Sequence, residues 1–366
     1  MGLRLICKVS DDCQADLDAI EAERAAVRAL IPEELEYYFA RQARIFSTHA
    51  SAAIDGNEVE PDQAASIAER AVVPQGEQEL EIYNLTQAYD LAYQLSQDRS
   101  VGIDSGTIRS LNAVLQQDAT SPDAAARGTY RQPVDPETAA EAAVETGEER
   151  NSILYEPPAS EDVSDLMAEF VQQIGRWLDR RPGPVAAALT HFGLLSIRPF
   201  ESANGRTARL LADMVLDQTG WSEDRMLSLS SAIHDSGGVY LAVLRSTQGP
   251  RFRTRVDASP FVEYHTKQLR RAMDQLRQSA VGLNQLMDEL GTTTDFDREQ
   301  MLLLWYLAVI GPISSAAYAS LIGKSQDTAI EKLLQASDAG LLKKIAAGQS
   351  TRYDLTERVW RRAQGD

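Results

Sequence analysis

Ile197-Arg198-Pro199-Phe200-Glu201-Ser202-Ala203-Asn204-Gly205-Arg206-Thr207-Ala208-Arg209-Leu210-Leu211 joins the end of an apolar run, a turn built on Asn-Gly, and the opening of a helix that carries two arginines. Pro199 disfavours helical geometry at Arg198, Asn204-Gly205 tolerates a tight or left-handed backbone, and Leu210, Leu211, Met214 and Val215 recur at helical spacing. The spacing predicts helix, loop, helix, with the second helix starting near Gly205. A helix start offers free backbone N–H groups and a positive dipole end, and Arg206 and Arg209 stand three apart on one face of it. Together these make an anion cradle suited to phosphate groups. An isolated Asn-Gly-Arg can equally open an ordinary helix with solvated arginines, so the reading depends on the rest of the chain.

The chain has 366 residues, 43% hydrophobic and 25% charged, a globular composition long enough for two or three domains. Cys7 and Cys13 have neither metal-ligand spacing nor partners, which points to no disulfide framework, no zinc site and a reducing compartment. No apolar run is long enough to span a bilayer, and Leu3–Cys7 is too short for a signal core before Asp11 and Asp12. The expectation is a cytoplasmic protein without a membrane partner. A formal charge of -18 argues against broad binding to nucleic acid or anionic lipid, because neutralising phosphates needs concentrated Lys and Arg.

The opening stretch resembles the signature of the Fic/DOC family, His-x-Phe-x-(Asp/Glu)-Gly-Asn-Gly-Arg-x-x-Arg. Phe200, Asn204, Gly205, Arg206 and Arg209 match it, as do Pro199 and Leu210-Leu211. The resemblance implies an all-α, mainly helical fold with a short β-hairpin flap, and transfer of AMP from ATP to a protein hydroxyl. Three positions depart. Arg198 stands where the family's His is the base, and a guanidinium stays protonated. Ser202 replaces the acid that holds magnesium and is a weak ligand for a hard cation. Ala203 replaces a glycine, narrowing the backbone freedom of the loop. The expected ligand is ATP or another nucleotide, bound at Asn204, Gly205, Arg206 and Arg209, with Mg2+ binding weakened and no further metal site.

Upstream, residues 11 to about 47 carry apolar residues at helical period, with Pro32 opening a second helix through Leu35, Tyr38, Phe39 and Ile45. A further helix, Ser51-Ala52-Ala53-Ile54-Asp55, stops at Gly56-Asn57. It resembles the family's inhibitory motif, (Ser/Thr)-x-x-x-Glu-(Gly/Asn), whose Glu pairs with the second signature arginine and blocks the ATP γ-phosphate. Here that implies Ser51 and Asp55 as inhibitory residues, with Asp55 reaching for Arg209 on a side chain one methylene shorter than Glu. Glu81-Ile82-Tyr83-Asn84 resembles the family's Glu-x-x-Asn segment. Gly128-Thr129-Tyr130-Arg131 and Val134 resemble the turn before its flap, followed by acidic Pro136–Asn151 and a return strand over Ile153–Glu156. The helix Val185–Ile197 delivers the signature. His191 lies two turns before Arg198 on the same face; a His there accompanies the catalytic His in related sequences, which implies a structural role. His49 and His234 read as satisfied polar groups.

Residues 1–100 are thus expected to hold N-terminal helices, 101–275 the core, 276–296 a linker helix, and 297–366 three short helices and a Gly-tipped hairpin, the order of a winged helix-turn-helix. That last piece has nine Lys and Arg against eight Asp and Glu, so the negative charge lies elsewhere. Asp327 and Glu331 on its would-be reading helix oppose DNA contact, and packing or dimerisation are equal readings. Three functions follow: an altered or non-catalytic nucleotide-binding protein, an AMP transferase acting on a protein Ser, Thr or Tyr with a nonstandard base, and a ligand-responsive DNA-binding regulator. Nucleotide, protein target, DNA and a second copy of the chain are the partners these imply.

Overall fold

The computed structural model describes residues 2–31, 33–97, 102–117, 127–132, 155–291, 296–309, 311–347, 350–357 and 359. These residues are mainly helical, with a few short strands. The helices are α1 Asp11–Leu30, α2 Glu33–Ile54, α3 Pro61–Ala68, α4 Glu77–Gln97, α5 Ser105–Leu115, α6 Val163–Arg180, α7 Gly183–Ile197, α8 Asn204–Thr219, α9 Leu229–Asp235, α10 Val239–Gln248, α11 Ser259–Gly291, α12 Arg298–Val309, α13 Ser315–Ile322 and α14 Gln326–Asp338. No helix among the described residues is long and apolar enough to cross a membrane.

The centre is α7, whose every residue from Gly183 to Ile197 is buried. A helix that is apolar all round has to be wrapped on all sides, and α6, α8 and α11 pack on it. Its two hydroxyls are satisfied locally: the Thr190 hydroxyl donates to the Ala186 carbonyl at 2.8 Å and Ser196 to Phe192 at 2.8 Å. Gly193 lets α6 come close, since a Cβ there would stand 2.3 Å from the Phe170 ring. α8 turns back on α7, and α4 and α5 cover its other side.

α1 lies along α11, started by Ser10, whose side chain accepts from the Cys13 N–H at 3.1 Å. Strand β1, Arg4–Ile6, pairs in parallel with β2, Arg255–Asp257, tying the first residues to the segment before α11. Cys7 and Cys13 are buried free thiols.

The two helices expected before Gly56 are one: α2 runs unbroken from Glu33 to Ile54, through Ser51. Pro32, the side chain of Leu35, Val134, the acidic stretch Pro136–Asn151 and Ile153–Leu154 of the expected flap lie outside the described residues. Of the return strand, Glu156 makes an isolated parallel bridge to Arg251.

After α11, α12 leads to β3, Ile313–Ser314, then α13, α14 and an antiparallel pair, β4 Leu342–Ala347 and β5 Ser350–Leu355, in a sheet of order β3-β5-β4. Ser314 and Ser325 cap α13 and α14 by accepting the N–H groups of Ala317 and Thr328. This unit sits on α2 and α3. The Phe39 ring lies 4.9 Å from Trp305, Arg352 pairs with Asp62, and Arg41 pairs with Glu69 while also reaching Ser320.

Gly193→Ala is expected to lower unfolding stability by about 1–3 kcal/mol, because fully buried Phe170 has nowhere to move. Chemical denaturation checks this, and an unchanged midpoint would mean that α6 and α7 are less tightly apposed.

Candidate functional site

The stretch 198–204 is a loop between two left-handed residues. Arg198 ends α7 at φ 45°, ψ 65° and Ala203 precedes α8 at φ 58°, ψ 20°. Neither is a glycine, so each holds a conformation that costs an L-residue roughly 1–2 kcal/mol. The surroundings fix it. Asn204 folds back on the loop, its Oδ1 accepting from the Phe200 N–H at 3.1 Å and its Nδ2 donating to the Phe200 carbonyl at 2.8 Å. The Arg131 guanidinium donates to the Arg198 carbonyl at 2.9 Å, and the Arg131 N–H to the Pro199 carbonyl at 2.8 Å. Asn112 on α5 donates to the Ser202 carbonyl and to the Thr207 hydroxyl, each at 3.2 Å. The Tyr130 ring lies 5.7 Å from Phe200.

The first turn of α8 begins with Thr207 N–H to Ala203 carbonyl at 2.9 Å. The amides of Asn204, Gly205 and Arg206 are those a helix start leaves without an intrahelical acceptor. Arg209 is buried, 2% exposed. Its Nε donates to the Ser51 hydroxyl and a terminal nitrogen to the Ser51 carbonyl, both at 2.7 Å, and the same nitrogen lies 2.9 Å from Asp55 Oδ1. Burial pulls this guanidinium's pKa down, but Asp55 and then Tyr240 outweigh it and the net direction is up. The structure thus brings Ser51 and Asp55 onto Arg209, across a helix end closed by Gly56 at φ 98°. Gly205 makes room for the pair: a Cβ there would meet Asp55 Oδ1 at 2.9 Å.

Arg206 is held differently. Its Nε lies 3.4 Å from Asp55 Oδ2, and its other arm pairs with Glu81 on α4. Glu81 in turn accepts from the Asn57 side chain, which also donates to the Gln78 carbonyl at 2.9 Å. Glu81 and Asn57 belong to the site although periodicity placed Glu81 only on a packing helix; its spacing from Asn84 was the one available signal.

Arg198 puts its guanidinium over the Tyr155 ring, 5.4 Å to the centroid, and the Tyr155 hydroxyl donates to the Ser196 carbonyl at 2.6 Å. An always-charged group stacked on a ring can bind an anion but cannot accept a proton. Ser202 offers a neutral hydroxyl where a hard dication calls for carboxylate, and the described residues hold no group of three metal-ligating side chains.

His191 is fully buried, its Nε2 3.1 Å from the Tyr240 hydroxyl. Burial, then neighbouring His265 and Arg209, pushes its pKa well below the usual histidine value. Burial pushes His265 down to about 3. Both are neutral core residues, His191 beside Arg209 through Tyr240. His49 and His234 face each other, ring centroids 6.2 Å apart. A cleft lined by Tyr89, Asp213, Asp217 and Arg225 uses none of the cradle residues.

Residues 102–216 match the family model described as the Fic/DOC family. Over 211 residues the chain is 28% identical to a protein adenylyltransferase Fic from Drosophila willistoni, covering 56% of this chain and 38% of that protein. Over 87 residues it is 38% identical to the corresponding protein from Aedes aegypti, covering 21% of this chain and 17% of that one. The chain thus spans less than two fifths of the length of these curated relatives. Among solved structures, a Fic family protein from Desulfovibrio desulfuricans superposes with TM-score 0.59 at 20% identity, covering 97% of this chain and 98% of that one. A Fic domain containing signaling protein from Bacteroides thetaiotaomicron gives TM-score 0.57 at 22% identity over 73% of this chain and 98% of that one. At these identities the structures speak for the fold.

Ala203→Gly is expected to stabilise the protein by roughly 0.5–1 kcal/mol, relief of left-handed strain outweighing the entropy of the unfolded glycine; urea denaturation checks it. Because His265 is neutral when folded and titrates near pH 6.5 when unfolded, the unfolded state binds more protons as pH falls. Stability should therefore drop below about pH 6.5 towards pH 3, by about 1.4 kcal/mol per pH unit for this group. Comparing the pH dependence of unfolding with that of His265→Phe measures it; parallel curves would show that the group is not buried neutral.

Proposed function

Because the chain is a Fic-domain protein, we propose that it binds a nucleotide, ATP or a relative, through its phosphates, and that transfer is absent or much weakened. Arg206, Arg209 and the Asn204-Gly205 amides would hold the phosphates, and Asp55 occupies Arg209 until they do. The observation that carries this reading is the Asp55–Arg209 pair at a helix start: a buried guanidinium already neutralised by an exchangeable anion at a site whose base position is Arg198. Bound ATP supplies a phosphorus centre for attack by a hydroxyl. This chain's residues would bind and orient it, while no group at position 198 can take the proton. The departure at Ser202 removes the carboxylate for magnesium.

Transfer by a nonstandard base is the second reading. It is opposed by the placement of His191, buried against Tyr240 with its basicity suppressed. A DNA-reading role is opposed by the exposed face of α14, where Asp327, Glu331 and Asp338 stand with Leu334, while Lys332 is drawn to Asp297 and Glu299. We read residues 297–366 as a winged helix, supported by its helix and strand order, used for packing on α2 and α3.

Intact-protein mass after incubation with ATP and magnesium, comparing the natural chain with Asp55→Gly, is expected to show no added AMP while calorimetry shows ATP binding. An added AMP would overturn the non-catalytic reading. Arg198→His with Ser202→Asp, on the Asp55→Gly background, is expected to raise self-modification by at least tenfold, since it restores base and metal ligand together. Continued absence of AMP on this triple variant would place the defect outside these two positions.

A further inference from the structure

The cradle has two arginines, and Asp55 satisfies only one of them. Its Oδ1 is within hydrogen-bond reach of Arg209, whereas Oδ2 is 3.4 Å from Arg206 Nε, an atom that is buried and has no hydrogen-bond partner of good geometry. The two oxygens are divided between the arginines, close on Arg209 and at the long end of an ion pair on Arg206. Glu81 takes the second arginine from another direction, by an ion pair between half-buried side chains. The two acids are anchored on different elements, Asp55 past the end of α2 and Glu81 in the second turn of α4.

Asn57 ties them together. It stands two residues after Asp55, its backbone N–H donating to the Ala52 carbonyl at 3.1 Å and its Oδ1 accepting from the Val59 N–H at 3.0 Å. Its Nδ2 is shared between the Gln78 carbonyl and the Glu81 carboxylate. The turn that presents Asp55 therefore also orients Glu81. Losing the Asp55 carboxylate does not release Arg206, because Glu81 remains on α4 and Asn57 remains attached to Gln78.

Resting on the reading that the cradle takes phosphates, we infer that Glu81 is a second lock on the site, positioned by Asn57, and that it sets the class of ligand. An anion replacing Asp55 alone neutralises Arg209 but meets the Glu81 carboxylate across Arg206. A ligand with two adjacent phosphate groups can displace both acids, one on each arginine, and still leave each guanidinium paired. A nucleoside di- or triphosphate meets that requirement; a single phosphate group does not.

The test is calorimetric titration of the full chain and of Asp55→Ala, Glu81→Gln and the double variant with ATP, ADP, AMP and inorganic phosphate. The expected result is an ATP and ADP affinity at least tenfold higher in the double variant than in either single one, with AMP and phosphate at least tenfold weaker than ADP where Glu81 is kept and that gap narrowed in the double variant. Equal affinities in Asp55→Ala and the double variant would overturn the second lock, as would AMP binding as tightly as ADP to the chains that keep Glu81. No ATP binding by the double variant would overturn the cradle reading, and the inference with it. The lock is separately checked without ligand: urea denaturation of Asn57→Ala, Glu81→Gln and their combination should be non-additive. Additive effects would overturn the positioning role of Asn57 while leaving the cradle intact.

Discussion

A guanidinium taken out of water needs a partner, and Arg209 is almost wholly out of water. Leaving such a charge unpaired costs several kcal/mol, so the structure around it is constrained to deliver an anion. α2 must end where it does, with the Ser51 hydroxyl and carbonyl on one side of the guanidinium and the Asp55 carboxylate on another. Gly56 must turn left-handed to free the chain after Asp55, and position 205 must lack a side chain for the carboxylate to lie against α8. The same requirement is what would let the site work as the proposed gate. The partner has to be negative, but it need not be Asp55.

The loop between α7 and α8 answers a second constraint, that donors aimed at an anion be held before it arrives. Its carbonyls are turned away and occupied: Arg198 by Arg131, Phe200 by Asn204, Ser202 by Asn112. With the acceptors engaged, the amides at the start of α8 are what the loop leaves to offer. Two non-glycine residues in left-handed geometry at its ends mark where this arrangement is strained. Behind it, α7 is buried throughout and supplies a floor that cannot shift without moving the core.

The helix start, its two arginines and the acid opposite were legible in the sequence because they depend on local rules: proline, Asn-Gly and helical period for the loop, and the resemblance for Ser51 and Asp55. The mainly helical class followed from the same period. What was not legible depends on distance. Glu81 and Asn57 are polar residues on an amphipathic pattern and beside a turn, and nothing in their spacing says that they converge on Arg206. The strands β1 and β2 are three residues each and lie about 250 residues apart in the chain. The continuity of α2 between residue 47 and Ser51 rests on burial of Thr48 and Ala50, which apolar period does not register. His265 passed unread since a lone histidine on an apolar helix has no local signature, and only packing makes it neutral.

α2 also limits how the gate can move. Phe39 lies against Trp305, and Arg41 bridges to Glu69 and Ser320, so the body of the helix is fixed to the unit that follows α11. Shifting the whole helix to free Arg209 would break those contacts and the Ser51 bonds together. Asp55 lies beyond the last helical residue, where Asp55 N–H to Ala52 and Gly56 N–H to Ala53, both at 3.0 Å, hold the residue itself, and Asn57 N–H to Ala52 at 3.1 Å closes the turn after it. Rotating there costs about two exposed turn bonds, each worth roughly 1 kcal/mol. The local route is cheaper, so on the proposed reading an incoming anion would exchange with the Asp55 carboxylate while Ser51 stays on Arg209. The Ser51 bonds would keep the guanidinium oriented through such an exchange, and neutralisation would pass from a protein carboxylate to a ligand without the buried charge being left alone.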